Sequence, residues 1–154
     1  RELERLQRYP SVAALAFVDI DEFKEVNDVH GHAAGDRALI SLAEVFKENI
    51  RSVDIVVRYG GEEFVLFFPE TGEEAAVQII ERMQRHFQSV SAKKNHVLIS
   101  FSAGVVEAPR DGDRFEVLCQ RADQAMYAAK QSGKACVLPW RAHMKTASRR
   151  VRTP

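Results

Sequence analysis

The chain has 154 residues, 45% of them hydrophobic and 29% charged, with 22 basic and 22 acidic side chains. That length suits one globular domain with a single sizeable core, and the balanced charge argues against a charge-driven DNA or RNA binder. No apolar run reaches bilayer length and no signal peptide is visible, so a cytoplasmic setting is expected. Cys119 and Cys136 lack metal-ligand or redox spacing and read as free thiols.

Residues 1–8 read as a short charged helical stub, with Leu3 and Leu6 able to touch the body and Pro10 ending it. Arg1 begins mid-pattern without an initiator Met, so the chain is expected to be a piece of a longer one. Residues 12–20 are almost continuously apolar, as in a strand buried on both faces, and close on Asp19-Ile20-Asp21. A short helix is expected over 22–29, stopping at Gly31. A longer one is expected over 35–50, with Leu39, Leu42, Ala43, Phe46 and Ile50 along one face. Two β-rich runs then flank Gly60-Gly61 and predict a hairpin, with the glycines free to take positive φ and to let a ligand approach the backbone. Pro69 and Gly72 close the hairpin. Glu73 starts a third helix, whose inner stripe is Ala76, Ile79, Ile80, Met83 and Phe87. A strand follows over 97–106, a polar turn over 109–113, and a fourth helix over 114–131 with Gly133 as its C-cap. Cys136-Val137-Leu138 is a short last strand. After Asp123 there are no acids, and residues 140–154 read as a solvated basic tail. The order β-α-α-β-β-α-β-α-β predicts a ferredoxin-like, palm-type α+β sandwich with a mostly antiparallel sheet.

The chemistry concentrates at two acidic strand ends. Asp19 and Asp21 close the first strand, and Glu62 and Glu63 follow the bare Gly60-Gly61 turn. Acidic groups beside a phosphate-sized gap are what a Mg²⁺–nucleotide site needs. The plainer alternative for Asp19 and Asp21 is that they start the next helix. Lys24 stands where a phosphate could be met. Asn27 both donates and accepts and Asp36 accepts two donors, a pairing that suits the guanine edge. Their plainer alternatives are a helix end for Asn27 and a helix cap for Asp36. His30 and His32 have no third soft ligand nearby, so zinc is not expected.

Taken in order, Asp19-Ile20-Asp21, Phe23-Lys24, Asn27-Asp28, Gly31-His32, Gly35-Asp36 and Arg58-Tyr59-Gly60-Gly61-Glu62-Glu63-Phe64 resemble the GGDEF family of diguanylate cyclases, in a GGEEF variant. Ser102-Ala103-Gly104-Val105, Arg121-Ala122-Asp123, Ala125-Met126-Tyr127, Ala129-Lys130 and Ser132-Gly133-Lys134 continue the likeness. The resemblance implies a fold like the class III nucleotide cyclase palm, with the catalytic domain over 12–139 between a stub at 1–11 and the tail. It implies condensation of two GTP into cyclic di-GMP by a homodimer, each subunit presenting one nucleotide. It implies Mg²⁺, with Mn²⁺ possible, held by Asp19, the Ile20 carbonyl, Glu62 and Glu63. Glu62 would take the 3′-OH proton, Asn27, Asp36 and His32 would face guanine, and Phe23, Lys24, Lys130 and Lys134 would meet the phosphates.

Arg51 and Asp54 match the family's RxxD site for inhibitory product, which Arg82 or else Arg85 is expected to complete from the next helix. The alternative is a charged helix end before a strand. Two departures stand out. The family's Asp-x-Leu-Thr-Gly-Leu-x-Asn-Arg segment is absent ahead of Arg1, and Ala135 stands where the family usually has Asn. A covalently linked N-terminal sensor or regulatory domain is expected beyond the chain given. Two rival readings remain open: a relative that binds GTP or cyclic di-GMP without turnover, and a cyclase making a mononucleotide or using ATP.

Overall fold

Residues Ala13–Ile20 form the central strand, β1, and every one of them is buried. The computed structural model describes residues 11–145. After β1 come α1 (Phe23–His30), α2 (His32–Asn49), β2 (Ile55–Arg58), β3 (Glu63–Pro69), α3 (Glu73–Lys94), β4 (Phe101–Ala108), α4 (Phe115–Gln131), β5 (Val137–Pro139) and a single 3₁₀ turn, Ala142–Met144. The five-stranded sheet runs β2-β3-β1-β4-β5. All its pairs are antiparallel except β4 with β5. This is the α+β sandwich that the element order predicts.

Alternation along β1 divides the core. Ala14, Ala16, Val18 and Ile20 pack with α1, α2 and α3 on one face. Ala13, Leu15 and Phe17 pack with α4 and Trp140 on the other. Side chains two apart share a face, so Asp19 continues the row that looks toward α4. Gly104 is why α4 lies so close. A Cβ there would stand 2.0 Å from the Ala122 carbonyl oxygen and 2.3 Å from the Met126 nitrogen. The absent side chain therefore sets the seat of the helix whose end carries Lys130.

Four expectations need adjusting. The strand expected over 97–106 runs instead over Phe101–Ala108. The Ser91 hydroxyl takes both backbone groups of Ile99, accepting from its N–H at 3.0 Å and donating to its carbonyl at 3.2 Å. Those groups are thereby withdrawn from a ladder. The long helix begins at His32 rather than residue 35, because the Gly31 carbonyl already accepts from the N–H groups of Ala34 and Gly35. Asp36 is thus inside the helix and is no cap. Neither Gly60 nor Gly61 takes positive φ; the turn uses their lack of a side chain instead. Finally, residues 140–145 are not a solvated tail. Trp140 is buried and donates from Nε1 to Gln124 Oε1 at 2.9 Å, and Arg121 lies 4.6 Å over its ring.

Gly133, at φ 121, follows the end of α4 as a C-cap should. Cys119 and Cys136 are free thiols. The stub at 1–8 and residues 146–154 lie outside the described residues. Among those described, no helix is long and apolar enough to cross a membrane.

Candidate active site

Strand register brings the two acidic segments together. Asp19 lies opposite Glu63 on β3, and the Ile20 N–H donates to the Glu62 carbonyl at 3.3 Å. Glu63 shares its face with Val65 and Phe67, so it looks toward α4 as Asp19 does. Like charges set directly opposite on neighbouring strands repel. Asp19 is only 1% exposed, and burying a carboxylate is costly unless a cation or hydrogen bonds satisfy it. This sheet end therefore calls for positive charge.

Lys130, from the last turn of α4, supplies part of it. Its ammonium donates to Asp19 Oδ1 at 3.2 Å, to the Ile20 carbonyl at 3.2 Å and to Asp21 Oδ1 at 2.8 Å. Burial pushes the Asp21 carboxyl up, but bonds from Lys130, Ser100 and Ser102 outweigh it and hold its pKa below the ordinary value. Glu22 adopts left-handed φ 53 and turns the chain from β1 into α1. Its carboxylate takes Lys134 at 2.9 Å, which raises the Lys134 pKa.

The hairpin tip is shaped by its own backbone. Arg58 reaches over the turn, Nη2 donating to the Gly61 carbonyl at 2.7 Å and Nε to that of Gly60 at 3.2 Å. The Tyr59 N–H donates to the Glu63 carbonyl at 2.8 Å. A Cβ on Gly60 would stand 3.1 Å from Glu63 Oε2, so the glycine leaves that carboxylate its place.

Asn27 meets the start of α2 across Gly35. A Cβ on Gly35 would lie 1.9 Å from Asn27 Oδ1 and 3.1 Å from Phe23 Cζ. Asn27 and Phe23 of α1 thus meet α2 at Gly35, the residue before Asp36; Asp36, His32 and Lys24 are exposed. A cavity of about 200 Å³ adjoins Asp21, between α1 and residues 97–100. Asn27 and Asp36 are not in its walls.

Arg51, Asp54 and Arg82 do not join this cluster. Asp54 leads into Ile55, whose β3 partner, Phe67, pairs with Leu15 of β1. That level is four residues from Asp19, roughly 13 Å along the strand. There the guanidinium of Arg51 is paired with Asp54 at 2.8 Å and also donates to the Pro69 carbonyl and Thr71 Oγ1. Asp54 raises the pKa of Arg51, and its own side chain is only 3% exposed beneath it. Arg82 reaches the same corner, Nε donating to Asn49 Oδ1 at 3.3 Å. The turn that ends α2 and the RxxD pair are one structure.

Sequence reasoning missed three partners of Asp21: Ser100, Ser102 and the N–H of Ala135. Serines at period two, at the start of β4, were the only signal. Nothing local tied them to an acid some eighty positions away.

A palm-type α+β domain whose sheet end gathers carboxylates, a carbonyl and an ammonium has the donor set of a metal–phosphate site. Residues 1–136 match the family described as "Diguanylate cyclase, GGDEF domain", and the chain belongs to that family. It is 39% identical over 131 residues to the response regulator PleD of Caulobacter vibrioides, covering 82% of this chain and 29% of PleD. It is 33% identical over 147 residues to the diguanylate cyclase DosC of Escherichia coli K12, covering 94% of this chain and 32% of DosC. The chain thus spans a third or less of these relatives. Among solved structures, the active GGEEF domain of a diguanylate cyclase from Vibrio cholerae superposes with a TM-score of 0.84 at 30% identity, covering 91% of this chain and 90% of that one. The GGDEF domain of DgcB from Caulobacter crescentus, solved in complex with c-di-GMP, gives 0.80 at 29% identity, covering 90% and 84%.

Proposed function

We propose that this domain is a diguanylate cyclase, condensing two GTP into cyclic di-GMP with release of two pyrophosphates. The observation that carries the reading is the meeting of Asp19 and the Ile20 carbonyl, both touched by the Lys130 ammonium, with the Glu62–Glu63 strand end, in a chain of this family. A relative described as an active GGEEF domain and another solved with c-di-GMP support it.

Among the described residues no three His, Cys, Asp or Glu side chains form a ready-made cage. Mg²⁺ does not need one, since it is commonly held by one or two carboxylates plus substrate phosphates. The oxygens of Asp19, Ile20, Glu62 and Glu63 are hard donors, and a cationic group already rests on two of them. The site therefore fits Mg²⁺, with Mn²⁺ as the alternative. When bound, the metal would neutralise the phosphates and ease charge onto the departing pyrophosphate.

The chain's own groups do the rest. Asn27 and Asp36 present an acceptor–donor pair and an acceptor to the guanine edge, with His32 beside them. Phe23 and Lys24 open α1, whose N-terminal amides favour anions. Lys130 and Lys134 face the phosphates from α4 and the loop after it. Glu62 takes the proton as the 3′-oxygen of one nucleotide bonds to the α-phosphorus of the other and the bond to pyrophosphate breaks. One domain presents one nucleotide, so the reaction needs a homodimer. Arg51, Asp54 and Arg82 form the product-binding inhibitory site, where a guanine edge would take over contacts the Arg51–Asp54 pair now makes with itself. The rest of the full-length protein would carry the input that brings two domains together.

The test is product analysis after incubation with GTP and Mg²⁺. Cyclic di-GMP is expected, with a rate per molecule that rises with protein concentration. GTP binding without product would make the domain a binding module, and a cyclic mononucleotide would contradict the reaction. ATP should not substitute for GTP.

A further inference from the structure

At the hairpin end of the sheet the reaction leaves one buried acid, Asp21, without work. Asp21 is 6% exposed and lies two residues beyond Asp19. Strand alternation alone would set it beside Asp19 on the face toward α4, as a second metal ligand. Its surroundings are different. Oδ1 accepts from Ser102 Oγ at 2.6 Å and from the Lys130 ammonium at 2.8 Å. Oδ2 accepts from Ser100 Oγ at 2.7 Å and from the Ala135 N–H at 3.0 Å. A carboxylate offers about four lone-pair sites, and these donors use them all.

The donors belong to the start of β4, the last turn of α4 and the loop after it. That loop is strained. Lys134 and Ala135 stand consecutively at φ 67 and φ 50, the left-handed region that side-chain-bearing residues avoid. Such a conformation persists only where the surroundings hold it. The bond from the Ala135 N–H to Asp21 is one hold; the bond from the Lys134 N–H to the Ala129 carbonyl at 3.1 Å is another. Lys130, a flexible four-carbon stem with three donors, has its shortest contact with Asp21 at 2.8 Å, against 3.2 Å to Asp19.

We propose that Asp21 ligates no metal and is instead the positioning residue of the triphosphate cations, fixing the Lys130 ammonium and the backbone of residues 134–135. The inference rests on the cyclase reading for the identity of the ligand. Asp21 acts at a distance from the nucleotide. It spends its lone pairs on one ammonium and one strained amide, while two serines lock the carboxylate itself. Ala135 contributes through its backbone alone, so the side chain there is not part of the device.

The test is a double-mutant cycle read by calorimetry of GTP and of GMP with Mg²⁺, which needs no turnover. Asp21→Asn should weaken GTP roughly tenfold or more, since small misplacements of positioning groups carry large penalties. GMP should be affected much less, because the missing charge lies at the β- and γ-phosphates. In a Lys130→Met background, Asp21→Asn should cost clearly less than it does in the wild type, because the share exerted through Lys130 is already lost and only the hold on residues 134–135 remains. An equal effect in both backgrounds, or unchanged GTP affinity, overturns the proposal. Ser102→Ala, which keeps the carboxylate, runs beside it as the gentler variant and should weaken GTP in the same direction by a few-fold; no shift there counts against the proposal as well. The cyclase reading fails separately. A wild type that makes no cyclic di-GMP, yet loses GTP affinity on Asp21→Asn, sinks the reaction and keeps the positioning role.

Discussion

The two ends of the sheet hold their acids in different ways. At the hairpin end Asp19 and Asp21, both buried, share the single ammonium of Lys130. At the other end the one carboxylate of Glu73 is gripped by Arg110 and Arg141 together. Glu107 and Asp111 complete that second network, Glu107 accepting from the Glu73 N–H and Asp111 from the Glu107 N–H. A deficit of cations beside a gap is a place for a ligand that brings its own. A carboxylate matched by two guanidiniums, each a rigid fork, is a fastening. The network ties the start of α3 to the turn after β4 and to the segment after β5, and so secures the end from which no chemistry is expected.

The largest effect should fall on the deficient end. Asp19→Asn should cut cyclic di-GMP formation on the order of a hundredfold or more, measured by product chromatography, while the melting temperature holds. Retention of most activity would mean that the acid deficit has no catalytic meaning. Gly104→Ala comes next and works through the fold. Its Cβ would meet backbone atoms of α4, and overpacking of that kind costs about 1–3 kcal/mol or more. Denaturant unfolding should show a loss of that size, and an unchanged midpoint would contradict the close seating of α4.

Gly35→Ala makes a different kind of change. The added methyl meets the far end of the Asn27 side chain, which can swing away, and the edge of the Phe23 ring at 3.1 Å, which has to give only a few tenths of an ångström. Stability should barely move, while KM for GTP rises roughly tenfold, the scale of one lost polar contact to a base. Normal KM would remove Asn27 from guanine recognition. At the Arg51 corner, Arg51→Ala should raise the cyclic di-GMP concentration needed for half-inhibition by about tenfold; an unaltered inhibition curve would show that the pair is only a helix-end fastening. The smallest effect belongs to the Glu73 network. Bonds from Arg141, opposed by burial and aided by those from Arg110, hold the Glu73 carboxyl below its ordinary 4.5. A depressed carboxyl stabilises the fold above that value, and the contribution is lost as pH falls through its folded value. Glu73→Gln should therefore lower stability by roughly 1 kcal/mol at pH 7, with wild type and variant converging as the pH falls through the depressed folded value. A gap that persists in acid would assign the effect to something other than charge.

The sheet and its helices were legible because their signals are local and periodic. The continuous apolar run before Asp19 specified a strand buried on both faces, and the stripes of α2, α3 and α4 specified their inner sides. Asp19 and the Glu62–Glu63 pair could be brought to one place because strand pairing follows from the element order. What stayed hidden was set by individual side-chain hydrogen bonds. Ser91 capturing Ile99 shortened β4, and Trp140 with Gln124 drew the presumed tail onto α4. The partners of Asp21 depend on how α4 sits, which a single glycine decides. RxxD was visible as a motif, but its closure upon itself at Asp54, Pro69 and Thr71 was not.

The contrast between the two sheet ends is tested most directly by paramagnetic broadening of backbone amide signals, with Mn²⁺ added alongside a non-hydrolysable GTP analogue. The signals of Ile20, Asp21 and Gly60 to Glu63 should vanish at the lowest Mn²⁺, while those of Asp54, Thr71 and Glu73 remain. Broadening centred on the Glu73 end, or spread evenly over the domain, would contradict a cation site at Asp19.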